Sequence, residues 1–157
     1  MYMHVLFCCP TNFLCFMALT HLPCYCATLR QASRVVTSVY DKHLRSAGLR
    51  VTQFTLLQAL HLSPGSRIAD LVGVLAMEQS TLTRTVGILQ GYGWVQVADR
   101  PSGREKCWDL TSEGKAVFDA ALPLWQAAQK AIEHRFGEDQ MLTMHTSLFE
   151  LTDSAAS

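Results

Sequence analysis

The sequence has no excess of charge of either sign, since Lys plus Arg and Asp plus Glu number 13 each among 157 residues. Proteins that bind polyanions nonspecifically are usually basic overall, so this balance argues mildly against that class. A protein that reads DNA needs only a locally basic face, and that class stays open. Apolar residues make up 49% of the chain and charged residues 17%, which indicates a globular chain rather than a disordered one.

The chain also lacks the residue groups on which the common enzyme classes depend. It has no Gly-rich phosphate loop and no pair of carboxylates placed for acid–base chemistry. A thiol enzyme built on Cys24 and Cys26 would need a neighbouring base and an oxyanion donor, and the sequence offers neither. We therefore expect no enzymatic activity, no required cofactor and no dedicated metal site.

Cysteine is almost absent beyond the first 26 residues, which hold five of the six. None of them has the paired spacing of a zinc finger or ribbon. A disulfide framework would distribute its cysteines over the domain to join distant segments. The distribution predicts a protein of the reducing cytoplasm.

The segment from Met1 to Leu22 is apolar and contains no Lys or Arg for the basic start of a signal peptide. Pro10 lies inside it, so it is a poor membrane span. Three interpretations compete: a flexible or partner-covered extension, a weak membrane-targeting element, and a start codon assigned upstream of the true one. We favour an extension at 1–23 without a part in function, a folded domain at 24–157, and no membrane partner.

Beyond this segment, the apolar residues follow the period of an α-helix. A first stripe runs from Leu29 to Leu44 and stops at Gly48. Thr52 is placed to cap a second helix, and Ser66, after a Pro-Gly break, is placed to cap a short third helix. The residues expected to face inward from these two helices are Phe54, Leu57, Leu60, Ile68, Leu71, Val72 and Leu75.

The next predicted helix, Ser80 to Gln90, is apolar on one side only. Its apolar residues Leu82, Val86 and Leu89 fall at i, i+4 and i+7, and the hydroxyl and arginine side chains occupy other faces. Two short helices joined by a tight turn, the second polar on its exposed face, form the helix-turn-helix pattern.

The period then changes to that of strands. Residues 94–97 and 107–110 indicate two strands, joined by a polar loop at 100–105 that contains Pro101 and Gly103. A hairpin with a charged tip directly after a helix-turn-helix is the winged-helix arrangement. The sequence therefore predicts a mainly α fold with a small β-hairpin wing.

Helical stripes at both ends of the chain predict a dimer. A winged helix of about 60 residues cannot bury the stripes at 24–47 and 112–152 by itself. Packing both ends against a second copy would bury them in a two-fold interface. The DNA-binding part of the chain, which we call the reader, then spans about 50–111. Such a homodimer presents two recognition helices to consecutive major grooves of a palindromic site in double-stranded DNA. The alternative is that the stripes close an intramolecular bundle.

From about Cys24 to Leu151, the chain resembles the MarR family of bacterial winged helix-turn-helix regulators. Four passages carry the likeness: 66–71 and 80–84 in the two helices of the motif, 99–104 in the wing, and 110–115 after it. The resemblance implies a dimeric repressor whose DNA affinity is changed by a small-molecule inducer or by thiol oxidation.

Four residues at the start of the recognition helix are candidate DNA contacts, because hydroxyls and a guanidinium donate to phosphates and base edges. We call them the reading face: Ser80, Thr81, Thr83 and Arg84. Arg50 and Gln53, at the start of the second helix, are candidates for phosphate contacts. The alternative for the whole layout is a winged helix used only for protein interaction, without DNA binding.

The wing supplies further candidates. A guanidinium at a hairpin tip suits the narrow, electronegative minor groove of A·T-rich DNA. The resemblance aligns Arg104 with the arginine that the family inserts there, although Ser102 stands where the family usually has Asp. Arg100 and Lys106 would contact the DNA backbone.

Cys24 and Cys26 place two thiols close together at a helix start. Such a pair suits a soft metal or metalloid, for example arsenite or Cu(I), and it can also be oxidised. The alternative is that both are small apolar residues at a dimer seam, where cysteine is commonly buried. A second effector site, for a phenolic ligand, is expected where aromatic and Met side chains line the junction of the dimer helices with the reader.

Overall fold

The computed structural model describes residues 24–99 and 105–155. The chain divides into two compact units, with the boundary in the sequence between Val36 and Thr37. The elements, in chain order, are α1 (Tyr25–Leu44), a 3-10 turn (Arg45–Ala47), α2 (Val51–Leu62), β1 (Ser66–Arg67), α3 (Ile68–Leu75), α4 (Gln79–Gly91), β2 (Val95–Val97), β3 (Cys107–Leu110), α5 (Ser112–Phe136) and α6 (Glu138–Ala155). The predicted class, mainly helical with a small wing, is confirmed.

The helix-turn-helix consists of α3 and α4, and the wing follows it directly, as predicted. The sheet has one strand more than the predicted hairpin. β3 lies in the middle, with β1 and β2 antiparallel on either side, so that Trp108 is the partner of both Ser66 and Val97. The third strand joins the start of α3 to the base of the wing.

Two predicted helix caps are wrong. The residue at the N-cap of α2 is Arg50 and not Thr52, and the residue at the N-cap of α3 is Arg67 and not Ser66. The acceptors at these helix starts come from other side chains. Asp41 Oδ1 accepts from the Val51 N–H at 2.8 Å, Gln53 Oε1 from the Arg50 N–H at 2.9 Å, and Asp70 Oδ2 from the Arg67 N–H at 3.1 Å.

The core of the second unit joins α2 and α4 to α3, the wing strands and α5. Its fully buried side chains come from α2 and α4 and from the junctions around them: Leu44, Phe54, Leu56, Leu57, Leu60, Leu82, Val86, Leu89 and Val95. Phe54 stacks on Phe118 and Trp125 of α5, with ring centroids 5.4 and 5.8 Å apart. The long helix α5 is thereby fixed to the reader elements. Within the described ranges, no helix has the length and apolar character to cross a membrane.

Candidate nucleic-acid interface

The recognition helix α4 has one buried side and one exposed side. Leu82, Val86 and Leu89 are at most 1% exposed, and they lock the helix onto the core. All four residues of the reading face are exposed. The predicted orientation of α4 is therefore confirmed, and Arg84 is the one charged side chain that the helix carries.

Hydrogen bonds within the protein determine which donors and acceptors of the reading face remain available to a ligand. The Thr83 hydroxyl donates to the Gln79 carbonyl at 2.8 Å, so its oxygen keeps acceptor capacity toward an outside donor. Arg84 makes no hydrogen bond or ion pair with any other described residue, and its guanidinium is available to a partner. At the N-cap of α4, the Glu78 side chain makes no capping bond. The first N–H groups of the helix are therefore open to an anion such as a phosphate.

A groove of about 410 Å³ runs between α4 and the base of the wing. Thr83 and Gly87 line it from the helix side, and Lys106 and Trp108 line it from the wing side. Lys106 is exposed, and the structure places this lysine of the wing and Thr83 of the recognition helix at the same groove.

An ion-pair network ties the helix-turn-helix to the wing, and the sequence reasoning missed it. The Arg67 guanidinium contacts Asp70 at 2.7 Å and Glu105 at 3.3 Å. The hydrogen bond from the Arg67 side chain, together with that from its backbone N–H, holds the pKa of Asp70 below its usual range. The i, i+3 spacing of Arg67 and Asp70 is visible in the sequence and indicates an ion pair between them. The contact to Glu105, 38 residues away, has no such signal in the sequence.

The second predicted DNA-contact pair lies on a separate part of the surface. Arg50 and Gln53 line a cavity of about 460 Å³ together with Arg45 and Tyr92. This cavity shares no lining residue with the groove beside α4. Since Gln53 Oε1 already accepts from the Arg50 N–H, its amide NH₂ is the group left for a phosphate.

Three further predictions concern the wing tip and the thiols. Arg100 and Arg104 lie outside the described residues. Cys24 and Cys26 are exposed at the start of α1, whereas Cys107 is buried in the wing strand. Among residues 24–99 and 105–155, no group of three His, Cys, Asp or Glu side chains is arranged to hold a metal ion.

Comparison with solved structures identifies the family. The M. tuberculosis transcriptional regulator MosR, in complex with DNA, is 31% identical to this chain, with a TM-score of 0.75 over 85% of this chain and 96% of that one. The chain belongs to the MarR family of transcriptional regulators. A MarR variant from E. coli complexed with operator DNA has the same fold, with a TM-score of 0.73 at 19% identity over 90% of this chain and 99% of that one.

Sequence comparison finds regulators as well. The transcriptional repressor NicR of Pseudomonas putida is 31% identical over 96 residues, which is 60% of this chain and 61% of NicR. The chain spans less than two thirds of the length of the curated relatives that it matches, 61% to 66%. No family model matches the chain. The relatives named here are transcriptional regulators and not enzymes.

Proposed function

We propose that this MarR-family chain is a transcriptional repressor that binds a palindromic site in double-stranded DNA as a homodimer. The observation that carries the proposal is the two-sided recognition helix: Leu82, Val86 and Leu89 fix α4 in the core, and its reading face is exposed, with Thr83 lining the same groove as Lys106 of the wing. The name of the relative NicR supports repression as the direction of control. In the proposal, the protein binds its DNA in the cytoplasm.

The side chains divide the recognition task by their chemistry. Arg84 can make two parallel hydrogen bonds to O6 and N7 of a guanine in the major groove. The hydroxyls of Ser80 and Thr81 and the open N-terminus of α4 suit phosphates. Lys106, Arg50 and the Gln53 amide add contacts to the sugar-phosphate backbone of the DNA. In the proposal, Arg104 enters the minor groove and Arg100 contacts a phosphate.

The helix α6 supports a dimer. Its described side chains are all exposed or half-buried, although it packs against α5. Leu142 and Phe149, seven positions apart on one side of the helix, are large apolar side chains that remain 67% and 59% exposed. An 18-residue helix with so little buried surface is only marginally stable on its own. A second copy of the chain is the occupant we propose, because the same interface would pair two reader domains for a palindrome.

Release from DNA is proposed to follow from a change in the spacing of the two readers. We propose two agents for this release. The first is a small ligand at the junction of reader and dimer helices. The second is oxidation, or binding of a thiophilic metal or metalloid, at Cys24 and Cys26, which are exposed and two positions apart.

Fluorescence anisotropy with labelled DNA tests the proposal. Duplexes are first selected from a random-sequence library with the wild-type protein. Arg84→Ala should weaken binding to the selected duplex by about 1–3 kcal/mol and relax its sequence preference, and Lys106→Ala should weaken binding to all duplexes and reduce the salt dependence. Lys130→Ala, at an exposed position of α5, is the control and should bind as the wild type does.

The competing function, a winged helix used only for protein interaction, has a different outcome in the same experiment. In that case the wild-type protein enriches no duplex from the library, and binding at low salt does not respond to Arg84→Ala.

A further inference from the structure

The recognition helix contains a glycine that its own fold does not require. Gly87 lies in the interior of α4 without a positive φ. A Cβ built on it meets no atom within 4 Å, so a side chain would fit without any shift. Glycine destabilises the interior of a helix relative to alanine, because it loses more backbone freedom on folding. The free energy of folding alone therefore favours alanine at this position.

The location of Gly87 connects it to the reading face. At about 100° per residue, positions 80, 84 and 87 share the side of α4 opposite to Leu82, Val86 and Leu89. Gly87 is exposed, and it lines the 410 Å³ groove between α4 and the wing together with Thr83 and Lys106. A side chain at 87 would extend into the space beside Arg84 that a ligand of the reading face must occupy.

The rest of the helix makes a close approach necessary. Arg84 is its one charged side chain, and the neighbouring groups on this side are short hydroxyls. Short side chains reach base edges only when the helix backbone lies deep in the major groove. Glycine is the residue that permits the closest approach of a backbone to a ligand.

We infer that Gly87 is a specificity-determining residue: its missing side chain lets α4 approach base-pair edges closely enough for Thr83 and Arg84 to read them. The inference rests on the proposed DNA-binding function. It names the part of the helix that contacts the floor of the major groove, and it explains a glycine that otherwise only weakens the fold.

Gly73 provides a matched control. It lies in the interior of α3, is exposed, and also has no atom within 4 Å of a built Cβ. Both Gly73→Ala and Gly87→Ala should raise the melting temperature, by about 2–4 °C for a chain of this size. The two variants differ only in the helix that carries the change.

The experiment compares two readouts for the wild type, both alanine variants and Gly87→Leu. Anisotropy is measured on a duplex that the wild type has selected from a random library, and on a scrambled duplex. We expect Gly87→Ala to bind the selected duplex about tenfold more weakly and Gly87→Leu more weakly still. Binding to the scrambled duplex should stay within about twofold, because it depends on phosphate contacts. Gly73→Ala should bind both duplexes as the wild type does.

The outcomes separate this inference from the function on which it rests. If Gly87→Ala melts at a higher temperature and binds the selected duplex as tightly as the wild type, the role of Gly87 is wrong and DNA binding stands. An equal loss of affinity in Gly73→Ala would also overturn it, because the effect would then follow helix stability. If the wild type selects no duplex, the proposed function and this inference both fail.

Discussion

The backbone carbonyl of Trp94 lies so close to Gly114 that a Cβ on this glycine would be 1.9 Å from the carbonyl oxygen. The contact joins the chain that leaves the recognition helix to the first turn of α5. Thr111 reinforces it, since its hydroxyl donates to the Gly93 carbonyl at 2.7 Å and accepts from the Gly114 N–H at 2.9 Å. The end of α4 is thereby held at a fixed position relative to the long helix.

Replacing Gly114 should destabilise the fold. Gly114→Ala places a methyl group in steric overlap with the Trp94 carbonyl, and the backbone must shift to accommodate it. We expect a loss of about 2–3 kcal/mol in the free energy of unfolding, measured by urea denaturation. The control is Gly73→Ala, which should gain about 0.5–1 kcal/mol because its Cβ meets open space. A Gly114→Ala variant as stable as the control would show that the two segments are not in contact.

The Arg67–Asp70 pair predicts a pH dependence of stability. Because Arg67 lowers the pKa of Asp70 in the folded state, the ionised carboxylate stabilises the fold. This contribution is complete above the unfolded-state pKa of about 4 and is lost as the pH falls through the lower folded-state pKa. Asp70→Asn should therefore lower the melting temperature at pH 7, and its difference from the wild type should shrink as the pH falls below about 4.

Salt provides the internal control for that comparison. Both side chains are exposed, so the difference between Asp70→Asn and the wild type at pH 7 should also shrink in about 1 M salt. A difference that grows toward acid pH would contradict the assigned sign.

The exposed apolar side chains of α6 predict a dimer that introduced charges can break. Leu142→Glu combined with Phe149→Glu puts two carboxylates at these positions, and sedimentation equilibrium at micromolar concentration should change from dimer to monomer. The control is Leu62→Glu at the end of α2, where the wild-type leucine is also exposed, at 74%. That variant should remain a dimer. A double variant that stays dimeric would place the interface elsewhere.

The thiol proposal is tested by release from DNA. Oxidant, arsenite or Cu(I) should displace the wild type from its selected duplex, whereas a variant with Cys24→Ser and Cys26→Ser should stay bound. A variant with serine at Cys8, Cys9 and Cys15 is the matched control and should respond as the wild type does. If the Cys24/Cys26 variant is still displaced, these two residues are not the sensor, and a small ligand remains the effector.

The predictions that held depend on periodic burial. Leu82, Val86 and Leu89 recur at helical spacing, and this repeat alone gives the orientation of α4 and hence its exposed face. The helix-turn-helix and the order of the wing strands follow from the same change of period. Burial of apolar side chains dominates the free energy of such segments, so their sequence pattern predicts which side is buried without knowledge of the exact contacts.

The predictions that failed depend on contacts between distant residues. β1 has two residues, too few for a pattern, and its partner strand lies about 40 positions away. The sequence predicts the caps of α2 and α3 at a threonine and a serine because these residue types are favoured there. In the structure, Asp41 serves the start of α2 from the preceding helix, which a local pattern cannot show.

Hydroxyl-radical footprinting on the selected duplex tests the central claim most directly. Two symmetry-related reading faces should protect two stretches on the same side of the duplex, centred roughly 10 base pairs apart. Arg84→Ala should lose both at the concentration where the wild type gives full protection. A single protected stretch, or protection that Arg84→Ala retains in full, would contradict a dimer that reads DNA with α4.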